Sequence, residues 1–273
     1  MSMVDTLFEI NGVRKRFLLR QSVVDRFLKH EEYVEAVDDV SFRIRTGEIL
    51  GVVGESGSGK TTLGRLLLKL IKPTFGKITF EGRELASLSK SELRTFRRRA
   101  QGIFQDPFAS LSDRLRVFDI IAEPLLIHKV ADLRDTKRKV YAALESVGLT
   151  PPAAFARKYP HQLSGGQLQR AAIARALVLE PTFMMADEPV SMLDVSVRAG
   201  ILSLLLQLAK RFGMTMLFIT HDLAVARLAC DRIAVMRQGK IVEIGATEDV
   251  IANPANEYTQ RLLMAVPEPI PPK

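Results

Sequence analysis

The chain of 273 residues has an ordinary globular composition, with 47% hydrophobic and 26% charged residues, and this composition excludes an intrinsically disordered protein. Its single cysteine, Cys230, excludes an internal disulfide, a cysteine-only zinc site and an intrachain iron–sulfur cluster. The formal net charge of +8 indicates an anionic partner such as a nucleotide, a nucleic acid or an acidic membrane surface, although a solvated basic surface would give the same value.

The predicted elements alternate between strands and helices, which favours a layered α/β domain with a largely parallel sheet. Alternating apolar residues predict strands at "LFEINGVRKRF" and "AVDDVSFRI", with a polar insertion between them over residues 18–35. A short buried strand, "EILGVVG", then leads through a glycine-rich loop into the helix "KTTLGRLLLKLI". The stretch "GKITFEGREL" predicts an edge strand and a turn.

Strand patterns vanish from about residue 107 to residue 179, where apolar residues recur at helical spacing. This predicts a helical subdomain inserted into a sheet domain of residues 7–257. Strands return at "TFMMADE", "GMTMLFITH" and "RIAVMRQGKIVEIG", and residues 258–273 are predicted to form a proline-rich C-terminal tail. The N-terminus lacks a signal-peptide pattern and the most apolar helix is too short to span a bilayer, so we expect a cytosolic or peripheral chain.

The stretch "GESGSGKTT" satisfies the pattern G-x-x-x-x-G-K-[ST] directly after a predicted strand and at the start of a predicted helix. Its glycines let backbone N–H groups approach phosphate oxygens, and the helix N-terminus adds about half a positive charge. We predict that Lys60 reaches the β- and γ-phosphates of a nucleotide and that the Thr61 hydroxyl ligates Mg²⁺. The predicted binding residues of this phosphate loop are Gly54, Glu55, Ser56, Gly57, Ser58, Gly59, Lys60, Thr61 and Thr62.

Polar side chains end the strands that follow. In "FMMADEP", Asp187 suits the Mg²⁺ shell and Glu188 suits a general base or water-orienting group for attack on the γ-phosphorus. His221 closes a strand and could bond the γ-phosphate, although a lone histidine there is also typical of a helix cap. Gln105 could contact Mg²⁺ or the attacking water, with a polar turn residue as the alternative.

The stretch "LSGGQLQR" places a flexible loop at the mouth of a predicted helix. Ser164, Gly165 and Gly166 there form an anion site by the same physics as the phosphate loop. Because the chain already has one phosphate loop for a nucleotide, we interpret this second loop as half of a site that is shared with another chain.

With "GESGSGKTT", "LSGGQ", "FMMADEP", "SMLD" and "ITHD" in this order, almost the whole chain resembles ATP-binding cassette proteins. The resemblance implies a P-loop NTPase (RecA-like) α/β core, an antiparallel β subdomain, an inserted helical signature subdomain, and the ligands ATP and Mg²⁺. It also implies a head-to-tail dimer in which Ser164–Gln167 close on the ATP of a partner.

The same resemblance gives roles to single residues. Gln105 becomes the Q-loop residue, Glu188 the catalytic base, His221 the switch histidine and Asp194 a contact across the dimer interface. Phe17 is predicted to stack on adenine, with Tyr33 as the alternative because the insertion blurs the alignment.

A finer similarity, carried by "IFQDPFASL", "IIAEPL", "DEPVSMLDVSV" and "NPANEYTQRLLMAVPEP", is to the dipeptide and oligopeptide importer ATPases. It implies a peripheral position at the cytoplasmic face of the cell membrane, two permeases, an extracytoplasmic solute-binding protein and a second ATPase subunit. That subunit is expected to be a different chain, with a second copy of this one as the alternative. Related importers carry nickel, glutathione, opines or oligosaccharides.

Within that subfamily, residues 108–125 are the expected docking surface for permease helices, with an ordinary core-facing helix as the alternative. Two departures from the subfamily pattern are Met192 in "SMLD", where a small residue is usual, and "SLSDR" in place of "SLNPR".

The alternative function is a soluble cassette ATPase that acts on nucleic acid or ribosomes, which the net charge and the arginines of "RTFRRRA" would favour. Against it, the chain has one cassette and no long heptad insertion, so no nucleic acid partner is expected. A nucleotide kinase is excluded because it would leave "LSGGQ" and His221 without a role.

Overall fold

The structure is a computed structural model that describes residues 6–18, 33–107 and 111–264. Most of the predicted insertion, the first three residues of the predicted docking surface and the proline-rich end of the predicted tail lie outside these residues. The chain divides into two compact units, Met1–Leu88 with Phe218–Lys273, and Ser89–Leu217.

The first unit contains most of the strands. Its elements are β1 (Thr6–Leu18), β2 (Tyr33–Arg45), β3 (Ile49–Val53), α1 (Lys60–Leu67), β4 (Phe75–Phe80), β5 (Arg83–Glu84), a 3₁₀ turn (Leu85–Ser87), α8 (Leu223–Ala229), β9 (Arg232–Arg237), β10 (Lys240–Ala246), α9 (Thr247–Ala252) and α10 (Glu257–Met264). An antiparallel sheet has the strand order β2–β1–β4–β5. Separately, β3 pairs with β9 in parallel and β10 pairs with β9 antiparallel.

Side-chain alternation explains the antiparallel sheet. Along β2, Val40, Phe42 and Ile44 are buried while the residues between them are exposed, as expected for a strand with one face on a core. The ring of Phe8 on β1 contacts the ring of Phe80 on β4, with centroids 4.9 Å apart. The period-2 pattern therefore predicted the strands β1 and β2 correctly. The predicted edge strand, β4, instead lies between β1 and the short strand β5, and the antiparallel arrangement was implied by the family resemblance rather than by the pattern.

The strand β3 is instead buried almost throughout, with Leu50, Val52 and Val53 fully covered. A strand that pairs in parallel is typically covered on both faces and so has a continuous apolar run. Gly51 fits the same arrangement, because a Cβ atom there would lie 2.8 Å from the Sγ atom of Cys230.

The second unit contains most of the helices. Its elements are α2 (Lys90–Arg99), β6 (Ala100–Ile103), α3 (Val117–His128), α4 (Leu133–Ser146), α5 (Pro152–Ala156), a 3₁₀ turn (Pro160–Gln162), α6 (Gly165–Leu177), β7 (Phe183–Asp187) and α7 (Val195–Phe212). Strand β8 (Thr215–Thr220) crosses the boundary between the units. Strands β6 and β7 pair in parallel.

The predicted helical subdomain corresponds to α3, α4, α5 and α6, which pack on one another. Within α3, Val117, Ile120 and Ile121 are buried. Most of the helical part of the predicted docking surface therefore faces the core. Residues 112–116, which belong to the same predicted surface and precede α3, are exposed.

The predicted boundary at residue 258 falls inside α10, so the first residues of the predicted tail are helical. The reason is tertiary: Tyr258 is only 5% exposed and Thr259 is fully buried, so this short segment is stabilised by packing rather than by its own length. Within the described residues, no helix combines the length and the apolar character needed to cross a bilayer.

Candidate functional site

The predicted phosphate loop, residues 54–62, runs from the end of β3 into the first turn of α1 in the first unit. Gly54 and Gly59 have positive φ values of 152° and 107°. A Cβ atom would lie 2.1 Å from the carbonyl oxygen of Met236 at the first position and 2.1 Å from that of Ala36 at the second. Only glycine fits at both, because neighbouring backbone cannot move aside as a flexible side chain could.

The Lys60 side chain is buried at the start of α1, with 5% exposure. Its Nζ atom donates hydrogen bonds to the carbonyl oxygens of Gly54 and Glu55, both at 2.8 Å. A buried ammonium group needs such acceptors, because a buried charge without hydrogen-bond partners is far more costly than an unpaired neutral group. The loop backbone thus fixes where the positive charge sits.

Ser58 lies in the middle of the phosphate loop and is buried. Among the described residues its Oγ atom has no hydrogen-bond partner, while its carbonyl oxygen accepts from the Gly239 N–H at 2.9 Å. Buried hydroxyl groups normally have a partner. A phosphate oxygen of a bound nucleotide would satisfy this one.

His221 follows β8 in an exposed turn. The turn is fixed by its neighbours: the Thr220 Oγ1 atom accepts from the Asp222 N–H at 3.0 Å, and the Asp222 carboxylate caps α8 by accepting from the N–H groups of Ala224 and Val225. Asp222 rather than His221 therefore caps this helix, which removes one structural explanation for the histidine.

Phe17 and Tyr33 lie on paired strands near the ends of β1 and β2. The strand register pairs Phe17 with Val34, and Leu18 with Tyr33. Directly opposed residues share a face and successive residues alternate, so Phe17 and Tyr33 point to opposite faces of the sheet. Both rings are exposed, at 42% and 50%, and only one of them can face a given ligand.

In the second unit, the buried strand β7 ends at Asp187, which is 3% exposed. The next residue, Glu188, has a φ of 44°, in the left-handed region that non-glycine residues rarely adopt. The Gln105 Nε2 atom donates a hydrogen bond of 3.2 Å to the Glu188 carboxylate. Two residues predicted from separate motifs are thus brought together.

The predicted signature loop, residues 163–167, starts α6 with a capping box. The Ser164 Oγ atom accepts from the Gln167 N–H at 3.3 Å, and the Gln167 side chain accepts from the Ser164 N–H at 3.2 Å. A Cβ atom on Gly165 would lie 3.7 Å from the Leu193 side chain, and one on Gly166 would lie 2.7 Å from that of Val197. Gly166 therefore lets α6 lie close to the first turn of α7, whereas 3.7 Å at Gly165 is an ordinary contact distance. Asp194, directly before α7, is exposed.

Two residues that the sequence did not single out hold this part of the second unit together. Gln169, 1% exposed on α6, donates from Nε2 to the Pro189 carbonyl oxygen at 2.8 Å, directly after Glu188. Arg198 on α7 donates to the carbonyl oxygens of Leu193 and Ser191. The sequence signal that could have identified Gln169 is a polar residue on the apolar face of a predicted helix.

Comparison with known proteins identifies the family. A profile described as ABC transporter matches residues 37–191, which is more than half of the chain. The chain belongs to the ABC transporter family. The oligopeptide transport ATP-binding protein OppF of Streptococcus mutans is 52% identical over 239 residues, covering 87% of this chain and 77% of the relative.

A second relative is similar over more of the chain. The oligopeptide transport ATP-binding protein AppF of Bacillus subtilis is 46% identical over 264 residues, which cover 96% of this chain and 79% of the relative. Among solved structures, the dimeric post-hydrolysis state of the ATP-binding cassette MJ0796, bound to ADP and Pi, has a TM-score of 0.75 and 29% identity. It covers 88% of this chain and 99% of that chain.

These similarities confirm the family, the α/β P-loop NTPase fold and the ATPase activity predicted from the sequence. The chain is an ATP-binding subunit of an ABC transporter. The roles of individual residues are not tested by these similarities and stay predictions.

Proposed function

We propose that the chain is the ATP-hydrolysing subunit of an ABC importer for dipeptides, oligopeptides or a related solute such as glutathione, nickel, an opine or an oligosaccharide. The observation that carries the proposal is the similarity to AppF, an oligopeptide transport ATP-binding protein, over 96% of the chain. Transport is driven by closure of an ATPase dimer on ATP and by its reopening after hydrolysis.

ATP binds through its phosphates to the loop of residues 54–62. The buried Ser58 hydroxyl, which has no partner among the described residues, supports this assignment because a phosphate oxygen would satisfy it. The Lys60 ammonium, fixed on two loop carbonyl oxygens, supplies the positive charge for the β- and γ-phosphates.

Mg²⁺ accompanies the nucleotide. The Thr61 hydroxyl, the Asp187 carboxylate and the Gln105 side-chain carbonyl offer oxygen atoms, the ligand type that Mg²⁺ prefers, and the metal usually takes only one or two protein carboxylates beside the phosphates. When bound, it neutralises phosphate charge during phosphoryl transfer.

Hydrolysis depends on three polar side chains. Glu188 accepts the proton of the attacking water, Gln105 orients the Glu188 carboxylate through their 3.2 Å hydrogen bond, and His221 contacts the γ-phosphate. The left-handed backbone of Glu188 supports a functional role, since such strain is concentrated at functional sites.

Two ATPase subunits assemble head to tail, and residues 164–167 of each subunit, with Asp194, contribute to the nucleotide site of the other. The similarity to a dimeric ATP-binding cassette supports this arrangement. The second subunit is a sister chain in the leading form of the proposal and a second copy in the alternative form. Two permeases and an extracytoplasmic solute-binding protein complete the importer, so the chain lies peripherally at the cytoplasmic face of the membrane.

The test of the assembly is affinity purification of the tagged chain from detergent-solubilised native membranes, followed by mass spectrometry. We expect two polytopic permeases and a second ATPase subunit in equal amounts. Recovery of ribosomal proteins or nucleic acid without any membrane subunit would overturn the transport function and favour the alternative soluble ATPase.

The test of the cargo is uptake by cells that lack this chain, complemented either with the wild-type gene or with Glu188→Gln. We expect uptake of a labelled tripeptide to return with the wild type alone. If the wild-type gene restored uptake of nickel or glutathione but not of the labelled tripeptide, the importer function would stand and its cargo would be replaced.

A further inference from the structure

The Tyr258 side chain of α10 contacts the phosphate loop. Its ring is 5% exposed and lies under the Arg237 guanidinium, 4.8 Å from the ring centroid. Cation–π contacts of this kind hold a ring in a fixed place. All residues involved here belong to the first unit.

The start of α10 is itself anchored. The Asn256 Oδ1 atom accepts from the Tyr258 N–H at 2.9 Å and so caps the helix. The carboxylate of Glu243 on β10 accepts from the N–H groups of Ala255 and Asn256, at 2.7 and 3.2 Å. The start of α10, and with it Tyr258, is therefore anchored to β10 independently of the contact between Tyr258 and the loop.

The Tyr258 hydroxyl accepts a hydrogen bond from the Glu55 N–H at 3.2 Å. That N–H belongs to the peptide group between Gly54 and Glu55, and the carbonyl oxygen of the same peptide accepts from the Lys60 Nζ atom. One planar peptide group is thus bonded at both ends, by a tyrosine on one side and by the phosphate-binding lysine on the other.

This peptide needs such support because Gly54 gives it freedom. With a φ of 152°, Gly54 is in a region open to glycine alone, and glycine has few barriers against rotation of the adjoining peptide. A rotation would turn the Gly54 carbonyl away from Lys60 and release one of the two loop acceptors that fix its ammonium group.

We propose that Tyr258 is a positioning residue for nucleotide binding, whose hydroxyl fixes the Gly54–Glu55 peptide and through it the Lys60 ammonium. The inference rests on the proposed binding of ATP phosphates by the loop. The Tyr258 hydroxyl acts before the nucleotide arrives, so it changes the affinity for ATP rather than the rate of the bond-breaking step.

The test begins with Tyr258→Phe, which deletes the hydroxyl and keeps the ring under Arg237. We expect the Kd and the KM for ATP to rise about three- to tenfold, as for the loss of one hydrogen bond, with kcat within about twofold of the wild-type value. Tyr141→Phe is the matched control, since Tyr141 lies on α4 in the other unit and should leave both constants unchanged.

A double-mutant cycle separates positioning from a general structural effect. Glu55→Pro removes the N–H that Tyr258 accepts, whereas Glu55→Ala retains it. We expect Tyr258→Phe to weaken ATP binding in the Glu55→Ala background and to change it less than about twofold in the Glu55→Pro background. The proposal is overturned if Tyr258→Phe weakens ATP binding equally in both backgrounds. It is also overturned if Tyr258→Phe does not weaken ATP binding in the Glu55→Ala background, and this second comparison needs no folded proline variant.

The wild-type chain distinguishes this inference from the proposed function. If the wild-type chain fails to bind ATP in isothermal titration calorimetry, the proposed nucleotide site itself is wrong. If it binds ATP and Tyr258→Phe binds equally well, only the role of Tyr258 is overturned.

Discussion

At the scale of single residues, Glu188 combines a strained backbone with a defined side-chain contact. A positive φ on a residue with a Cβ atom costs about 1–2 kcal/mol, and here the following turn offsets it. The Ser191 N–H and hydroxyl both donate to the Glu188 carbonyl oxygen, at 3.2 and 3.0 Å. In this conformation the Glu188 carboxylate accepts a hydrogen bond from Gln105.

Glu188→Gln should nearly abolish ATP hydrolysis while ATP binding persists. A glutamine keeps the shape and can still accept from Gln105, but it cannot take a proton, and loss of a general base lowers kcat about 10²–10⁴-fold. The measurement is steady-state phosphate release, with ATP affinity from calorimetry and dimer content from size-exclusion chromatography in ATP, where a trapped closed dimer is expected.

The control for that variant is Glu180→Gln. Glu180 is an exposed partner of Lys139, and exposed pairs contribute about 1 kcal/mol or less, so turnover should not change. Wild-type turnover in Glu188→Gln would show that another group is the base.

At the scale of elements, the pairing of β1 with β2 separates the two candidates for adenine stacking. Phe17 and Tyr33 lie on opposite faces of the sheet, so a single adenine ring can meet one of them. The Lys15 ammonium lies 5.0 Å from the centroid of the Phe17 ring, which places a cation beside that aromatic.

Phe17→Ala should weaken ATP binding at least about fivefold, because stacking of a base on an aromatic ring contributes about 1–3 kcal/mol. Tyr33→Ala is the matched variant and should change the Kd less than about twofold. Calorimetric titration of both variants decides the assignment: the opposite order makes Tyr33 the stacking residue, and equal effects would contradict stacking by either ring.

A second element-scale feature is the approach of α2 to the end of α3. The pKa of His128 is lowered from its ordinary value of 6.5, first by partial burial and then by the charges of Arg94, Arg98 and Arg97. The Arg94 side chain also donates to the Ile127 carbonyl oxygen. Protonation of His128 is therefore less favourable in the folded chain than in the unfolded chain.

The stability of the fold should consequently fall as pH drops below about 7, because the unfolded chain then binds the proton more tightly than the folded one. His128→Gln should match the wild type near pH 8 and lose less stability on acidification to about pH 5. Urea unfolding at several pH values measures this, and a variant whose stability follows the wild-type curve throughout would exclude His128 as a source of the pH dependence.

At the scale of the whole molecule, α2 and α6 both begin with a serine capping box, but the two boxes differ in their predicted use. Ser164 and Gln167 begin α6, and Ser89 and Glu92 begin α2. Both stabilise a helix start, and only the first belongs to a loop predicted to serve a partner subunit.

Ser164→Arg and Ser89→Arg should therefore cost similar stability, about 1 kcal/mol each for a lost cap. Only Ser164→Arg should abolish hydrolysis by the assembled transporter, since a bulky cation would block a partner's γ-phosphate site, and the affinity of the isolated chain for ATP should persist. Calorimetry and phosphate release test this pair. Loss of ATP binding by the isolated Ser164→Arg chain would contradict the shared site.

The sequence by itself determined the features that depend on local physics. The glycine pattern of residues 54–62 and its place between an apolar strand and a helix are encoded within a few residues, because backbone sterics act at short range. The period-2 pattern of β2 and the buried run of β3 likewise predicted their strands.

The tertiary structure alone decided the features that join distant segments. Gln105 and Glu188 are 83 residues apart, and Glu55 and Tyr258 are 203 residues apart, so no periodicity could pair them. The start of the predicted tail is a helix because Tyr258 and Thr259 are buried in the folded chain. An eight-residue helix is marginal alone, and its stability comes from packing that the local sequence does not record.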